Sequence, residues 1–159
     1  MSSFLDLITS ATDGNLTGAE MEDFLDEHLP CISGERICLA CQEGEAMQES
    51  EYRRDHDLAV ALCKNPTLSG KEQERVLDAA MDWQGKEVWA LWALATNPRI
   101  SDEMKKKVLV AGDLIVGHVG PDFREVAEEY SIAVEENPRF SSTEVEELKS
   151  NLDALSTEI

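Results

Sequence analysis

Apolar residues recur at helical spacing along most of the chain. Phe4, Leu5, Ile8 and Ala11 share one face over residues 4–11, and Asp13-Gly14-Asn15 then breaks the pattern. Thr17 and Glu20 have the spacing of a capping box ahead of a stripe formed by Met21, Phe24, Leu25 and His28, and Pro30 is expected to end that helix. A further helix is expected from about residue 48 to Lys64, carried by Tyr52, Asp55 or His56, Ala59, Leu62 and Cys63. Another follows from the capping box of Ser69 and Glu72 to about Trp83, with Val76, Leu77 and Ala80 on its buried edge. Residues 86–96 have an interior, Val88 to Ala95, that is apolar on every face, so they predict a helix covered on all sides at the centre of the fold. Ser101 to about Val116, Pro121 to Glu136, and Ser142 to about Leu155 complete the series. Residues 31–44, which contain three of the four cysteines with Gly34 and Gly44, leave room for only a turn or two of helix.

One short device punctuates these runs. Asn65-Pro66-Thr67-Leu68-Ser69 returns as Asn97-Pro98-Arg99-Ile100-Ser101 and as Asn137-Pro138-Arg139-Phe140-Ser141. Asn tolerates the left-handed conformation that ends a helix, and Pro cannot continue one. The apolar fourth residue can pack back as a staple, while the Ser caps the next helix. Aligned on the asparagines, Ala61, Ala93 and Ala133 stand four residues upstream, and Leu62, Leu94 and Val134 three upstream. Val76, Val108 and Leu148 stand eleven downstream. Small residues let paired helices approach and larger ones fill the layer between them. The repeat is 32 and then 40 residues, and the extra eight around Val110 to Pro121 predict a longer second helix or a looser connection.

The expectation is therefore an all-α chain: a short α-solenoid of three stacked antiparallel hairpins over residues 51–159, with an acidic, cysteine-containing N-terminal helical cap over residues 1–50. At 159 residues the two parts form a single body. An Ala-rich helix, then Asn-Pro, two residues, Ser and a Leu/Val helix resembles the variant leucine-rich repeat and related HEAT-like helical repeats over roughly residues 51–155. The spacing is longer than the short unit of the variant leucine-rich repeat, which favours a general αα-hairpin solenoid. The resemblance implies a protein-interaction scaffold.

Charge narrows the partner. The net charge of -19 is concentrated at the ends: residues 1–50 carry 11 acids against Arg36 alone, and residues 121–159 carry 11 against 3 basic residues. Such a field repels phosphate backbones and anionic lipids, so direct nucleic-acid or membrane binding is not expected, whereas a basic protein partner is compatible. An alternative is an acidic decoy of nucleic acid, as in phage anti-restriction or anti-CRISPR proteins, because spaced carboxylates on helices can imitate a phosphate row. No apolar run approaches the roughly 18 residues of a membrane span, and the first residues lack the pattern of a secretory signal, so a cytoplasmic location is expected.

Cys31, Cys38, Cys41 and Cys63 are the candidate metal ligands. Thiols in a reducing compartment stay unpaired, and the Cys38-x-x-Cys41 spacing lets two sulfurs face one zinc ion or an iron–sulfur cluster. His28 and His56 are near enough in sequence to substitute. Some relatives of the variant leucine-rich repeat carry a cysteine-ligated iron–sulfur module ahead of their repeats, which resembles this order of segments. The competing reading makes Cys38 and Cys41 small apolar residues of a helix face, and Cys63 a repeat position occupied elsewhere by Ala95 and Glu135. Trp89 and Trp92 belong to the apolar helix and are expected in the core; Lys105-Lys106-Lys107 reads as a solvated face. Glu128, Glu129, Glu135 and Glu136 read as solvent-facing, and no histidine is paired with a nucleophile, so an enzyme is not expected.

Overall fold

The computed structural model describes residues 4–47, 57–80 and 86–157. They form helices α1 (Phe4–Thr12), α2 (Ala19–Ser33), α3 (Leu39–Met47), α4 (Leu58–Lys64), α5 (Gly70–Ala80), α6 (Lys86–Thr96), α7 (Asp102–Leu109), α8 (Gly112–Val119), α9 (Phe123–Glu136) and α10 (Ser142–Ser156). A 3-10 turn, Gly120–Asp122, leads into α9, and there is no strand among the described residues. The helices stack in two layers. One runs α1, α4, α6, α9 and the other α2, α5, α7, α10, each helix packed on the next.

The Asn-Pro corners join the layers, by a mechanism different from the one expected. Asn65 and Asn137 are extended, at φ -68° and -98°, and no described non-glycine residue has positive φ. A following proline pushes its predecessor out of helical and into extended space. The Asn side chains have another task. Each is buried and accepts the backbone N–H two residues on, at Thr67, Arg99 or Arg139. Each amide nitrogen then donates to two carbonyls of the preceding corner. Asn97 reaches Cys63 and Asn65 at 2.9 and 3.0 Å, and Asn137 reaches Ala95 and Asn97 at 2.8 Å each. Three corners are thereby linked into one ladder of side-chain amides.

The ladder also identifies a corner that the motif does not. Asn65 donates to the carbonyls of Ala11 and Asp13, both at 2.8 Å, so Asp13 occupies the place that an Asn holds in the other corners. Asp13-Gly14-Asn15-Leu16-Thr17 is thus a degenerate copy of Asn-Pro-x-x-Ser, 52 residues before Asn65. Helices α1 and α2 stack on α4 and α5 as successive hairpins do. A second set of bonds runs alongside. Gln73 is fully buried, donates to the carbonyls of Leu68 and Arg99, and accepts the N–H of Ser101. Lys105, 32 residues later, repeats the reach by donating to the Arg139 carbonyl and to Glu144.

The aligned apolar positions form the core. Leu62, Leu94, Val134, Val76, Val108 and Leu148 are completely inaccessible, as is Ala93, while Ala61 and Ala133 are nearly so. The staple residues Leu68, Ile100 and Phe140 are buried with them. Helix α6 packs on α4, α5, α7, α8 and α9, which gives it the expected central place. Both halves of the capping boxes at Ser69/Glu72 and Ser141/Glu144 are formed.

Other boundaries depart from the expected ones. Pro30 lies inside α2: its missing N–H forfeits one bond, but burial of Cys31 and Ile32 carries the helix on to Gly34, whose φ of 82° ends it. Thr17 does not cap α2, since the N-cap is Gly18 at φ 49° with no side-chain bond. Helix α4 starts at Leu58, because Asp57 is extended and accepts the N–H groups of Ala59 and Val60; Tyr52, Asp55 and His56 lie outside the described residues, as does Trp83. The eight extra residues are neither a longer α7 nor a loose link but the separate helix α8, packed on α9 and α10.

Residues 31–44 contain the end of α2, a short turn, and the start of α3, which packs on α1. A β-carbon at Gly44 would stand 2.4–2.5 Å from three atoms of the buried Phe4 ring. Gly44→Ala is therefore expected to destabilise the protein by about 2 kcal/mol through overpacking, read as a lower urea midpoint.

Candidate functional site

Helix α2 places His28 and Cys31 three residues apart, hence on one face, and both are buried. Beyond the left-handed Gly34 the chain turns back, and Cys38 stands immediately before α3 with Cys41 in its first turn. The ligand atoms of His28, Cys31, Cys38 and Cys41 all lie within 4.8 Å of one another. The turn is fixed by backbone bonds that involve the same groups. Arg36 N–H donates to the Pro30 carbonyl, and Cys38 N–H donates to the Cys31 sulfur at 3.4 Å. His28 directs Nδ1 to the Cys38 sulfur, 4.0 Å away, while Nε2 faces Glu27 at 3.7 Å. The Phe24 ring packs beside the imidazole at 4.5 Å between centroids.

Of the four expected cysteines, three gather here, and the fourth donor is His28 in place of Cys63. Cys63 lies on α4, fully buried, with its carbonyl engaged by Asn97. Burial, reinforced by the Asp57 carboxylate, pushes its thiol pKa well up, so it is inert as a nucleophile. Sequence spacing had left His28 as a substitute ligand and placed it on an apolar stripe. The same face of α2 that enters the core also meets the turn before α3, which brings the buried His28 beside the three cysteines. The available signal was His28-x-x-Cys31 followed by Cys38-x-x-Cys41, two pairs at helical spacing.

The site perturbs each of its groups. Burial lowers the His28 pKa, although Glu27 pulls the other way, which favours the neutral imidazole needed to donate a lone pair. Burial raises Cys31, and burial with the neighbouring thiols raises Cys41 strongly. Cys38 is the exception. Burial would raise it too, but N–H donors of Cys41 and Ala40 and the thiols of Cys41 and Cys31 outweigh that and lower its pKa. One ionisable thiol and a neutral imidazole stand at the rim and wall of a set whose other two sulfurs are buried. The donor set of one nitrogen and three sulfurs suits a tetrahedral, soft-accepting divalent ion. A cavity of about 40 Å³, lined in part by Cys31, Cys41, Phe4, Asp57 and Lys86, adjoins the cluster.

The remaining candidates divide. Trp89 and Trp92 are half-buried and meet edge to face at 6.1 Å between centroids, and the Lys64 ammonium lies 4.8 Å from the Trp92 ring centre. Within the lysine run, Lys106 and Lys107 are solvated as expected, but Lys105 is drawn against the last hairpin by Glu144 and the Arg139 carbonyl, and pairs with Asp102 on its own helix. Glu128, Glu135 and Glu136 are exposed and Glu129 half-buried; Glu135 pairs with Lys149 across α9 and α10. No described helix is long and apolar enough to cross a membrane. Compared with protein-family models, curated proteins and solved structures, the chain has no significant match.

Proposed function

We propose that this protein is a non-enzymatic scaffold of the helical-repeat type that binds a basic protein. The observation that carries the proposal is the amide ladder through Asn65, Asn97 and Asn137. A joint made identically at successive corners builds a stack in one direction, and such stacks bury their mutual interfaces while leaving their outer faces for recognition. The last hairpin favours a basic partner. Glu125, Glu128 and Glu136 of α9 and Glu146, Glu147 and Asp153 of α10 are all exposed, a field of carboxylates on adjacent rods. Unpaired thiols fit a reducing, cytoplasmic compartment.

The same field supports the acidic-decoy reading, in which the partner's nucleic-acid groove is the surface occupied. Capture of the partner from native cells, followed by binding of the purified pair at about 0.05 M and 0.5 M salt, tests both. The scaffold reading expects saturable binding to a basic protein that weakens with salt and leaves that partner's nucleic-acid binding intact. Competition with nucleic acid would replace it with the decoy. Salt-independent binding to an acidic or neutral partner would overturn both.

A further inference from the structure

We propose that His28, Cys31, Cys38 and Cys41 bind one zinc ion in a closed tetrahedral site that fastens α3 to the helical stack. The inference rests on the geometry of these four groups and stands or falls independently of the scaffold reading.

Four features favour a single ion. First, zinc–sulfur bonds of about 2.3 Å place tetrahedral ligand sulfurs about 3.8 Å apart. Donor atoms already within 4.8 Å of one another need to close by only about an ångström on that geometry. A polynuclear iron–sulfur cluster instead spreads its four ligands over different irons, and a set gathered this tightly around one point does not suit it. Second, three cysteines and one histidine are a donor set of structural zinc sites, with no position left for water or substrate. Third, the surrounding bonds already orient the donors. Cys38 N–H points at the Cys31 sulfur, as a donor to a ligating thiolate would, and the Glu27 carboxylate faces His28 Nε2, which directs the Nδ1 lone pair inward. Fourth, Cys38 is only half-buried while the other three donors are buried, so the ion has an entry side and an enclosed seat.

Helix α3 supplies the reason for such a site. Over residues 39–46 only Cys41 and Gly44 are buried, and Leu39 is 76% exposed. A nine-residue helix with so little apolar contact is not stable by itself. Yet it receives Phe4 of α1 over Gly44, and Glu43 accepts the Phe4 N–H. Zinc bonds to Cys38 and Cys41 from one side, and to His28 and Cys31 from the other, would tie α3 to the end of α2. Loading would displace the thiol protons into solvent, so zinc affinity falls as the pH is lowered.

The test uses the full-length protein purified in zinc-replete medium, its metal measured by elemental analysis, and then reloaded with cobalt(II) after chelation. The expected result is about one zinc per chain and the intense visible absorption of tetrahedral cobalt–thiolate coordination. Cys63→Ala should retain the metal in full, while His28→Gln and Cys38→Ser should each weaken it by roughly tenfold or more. Cys38 is the least buried donor, so its variant keeps the fold testable, and circular dichroism of each variant records that it does. Folded wild-type protein with negligible zinc as purified and no cobalt–thiolate absorption after reloading would overturn the proposal. So would iron with an iron–sulfur chromophore, loss of metal in Cys63→Ala, or a Cys38 alkylated as fast with zinc as without it.

Discussion

Asn97→Ala is expected to lower the free energy of unfolding by about 3 kcal/mol, more than a surface asparagine could cost. Asn97 is 1% exposed and serves three backbone groups. Its amide nitrogen satisfies the Cys63 and Asn65 carbonyls, and its Oδ1 satisfies the Arg99 N–H. Alanine deletes three bonds, each worth about 1 kcal/mol net, and leaves buried partners that water cannot easily reach. Asn97→Asp sharpens the test, since it keeps the shape and the Arg99 bond but turns an oxygen toward two carbonyl oxygens. The new carboxyl would be held protonated in the folded state, with its pKa raised above the usual value of about 3.9. Its destabilisation should then shrink as pH falls from that raised pKa toward about 3.9, and so be larger at about pH 7 than at about pH 5, the reverse of a salt-bridged aspartate. Urea denaturation of wild type and both variants at about pH 7 and pH 5 checks the sign. A cost below about 0.5 kcal/mol for Asn97→Ala would mean that the ladder contributes nothing net.

That ladder marks the limit of what the sequence disclosed. Position and period were legible: the three corners, the Ala and Leu/Val positions upstream of them, and the central apolar helix are where spacing put them, because burial selects residue type directly. The physical role of the asparagine was not. A left-handed helix end and a buried amide bridge both favour Asn in the same place, and only the pre-proline restriction argues against the first. The fourth corner was hidden because Asp13 accepts the bridge through its backbone carbonyl and needs neither an amide side chain nor a following proline. Helix α8 escaped for a related reason. Val108, Leu109, Leu114 and Ile115 continue a helical period across the break, and the break itself is made by local bonds of Val110 and Ala111 that leave no residue-type signature. Cys31, Cys38 and Cys41 were legible as a group from their short spacing, whereas the substitution of His28 for Cys63 depends on how far α2 runs past Pro30.

Leu94→Ala should cost about 3 kcal/mol, comparable to the loss at Asn97 but by a different route. Leu94 is completely buried on the one helix that packs against α4, α5, α7, α8 and α9. Neighbours on both flanks of its layer and in the facing layer hinder collapse into the vacated volume, so a cavity term adds to the lost transfer energy. The equivalent Val134 is equally inaccessible but lies on α9, which has α6 on only one side within its layer. Val134→Ala removes a smaller side chain and leaves a smaller cavity, and should cost about half as much. Leu5→Ala is the control: Leu5 is 48% exposed and should move stability by no more than about 0.5 kcal/mol. The comparison also separates local damage from loss of coupling. In a stack whose units stabilise one another through shared interfaces, a defect at the centre weakens both interfaces at once. Leu94→Ala should therefore lower the urea m-value as well as the midpoint, whereas Val134→Ala should shift the midpoint alone. Equal costs at the two positions, with unchanged m-values, would show that the hairpins unfold as one unit regardless of where the core is opened.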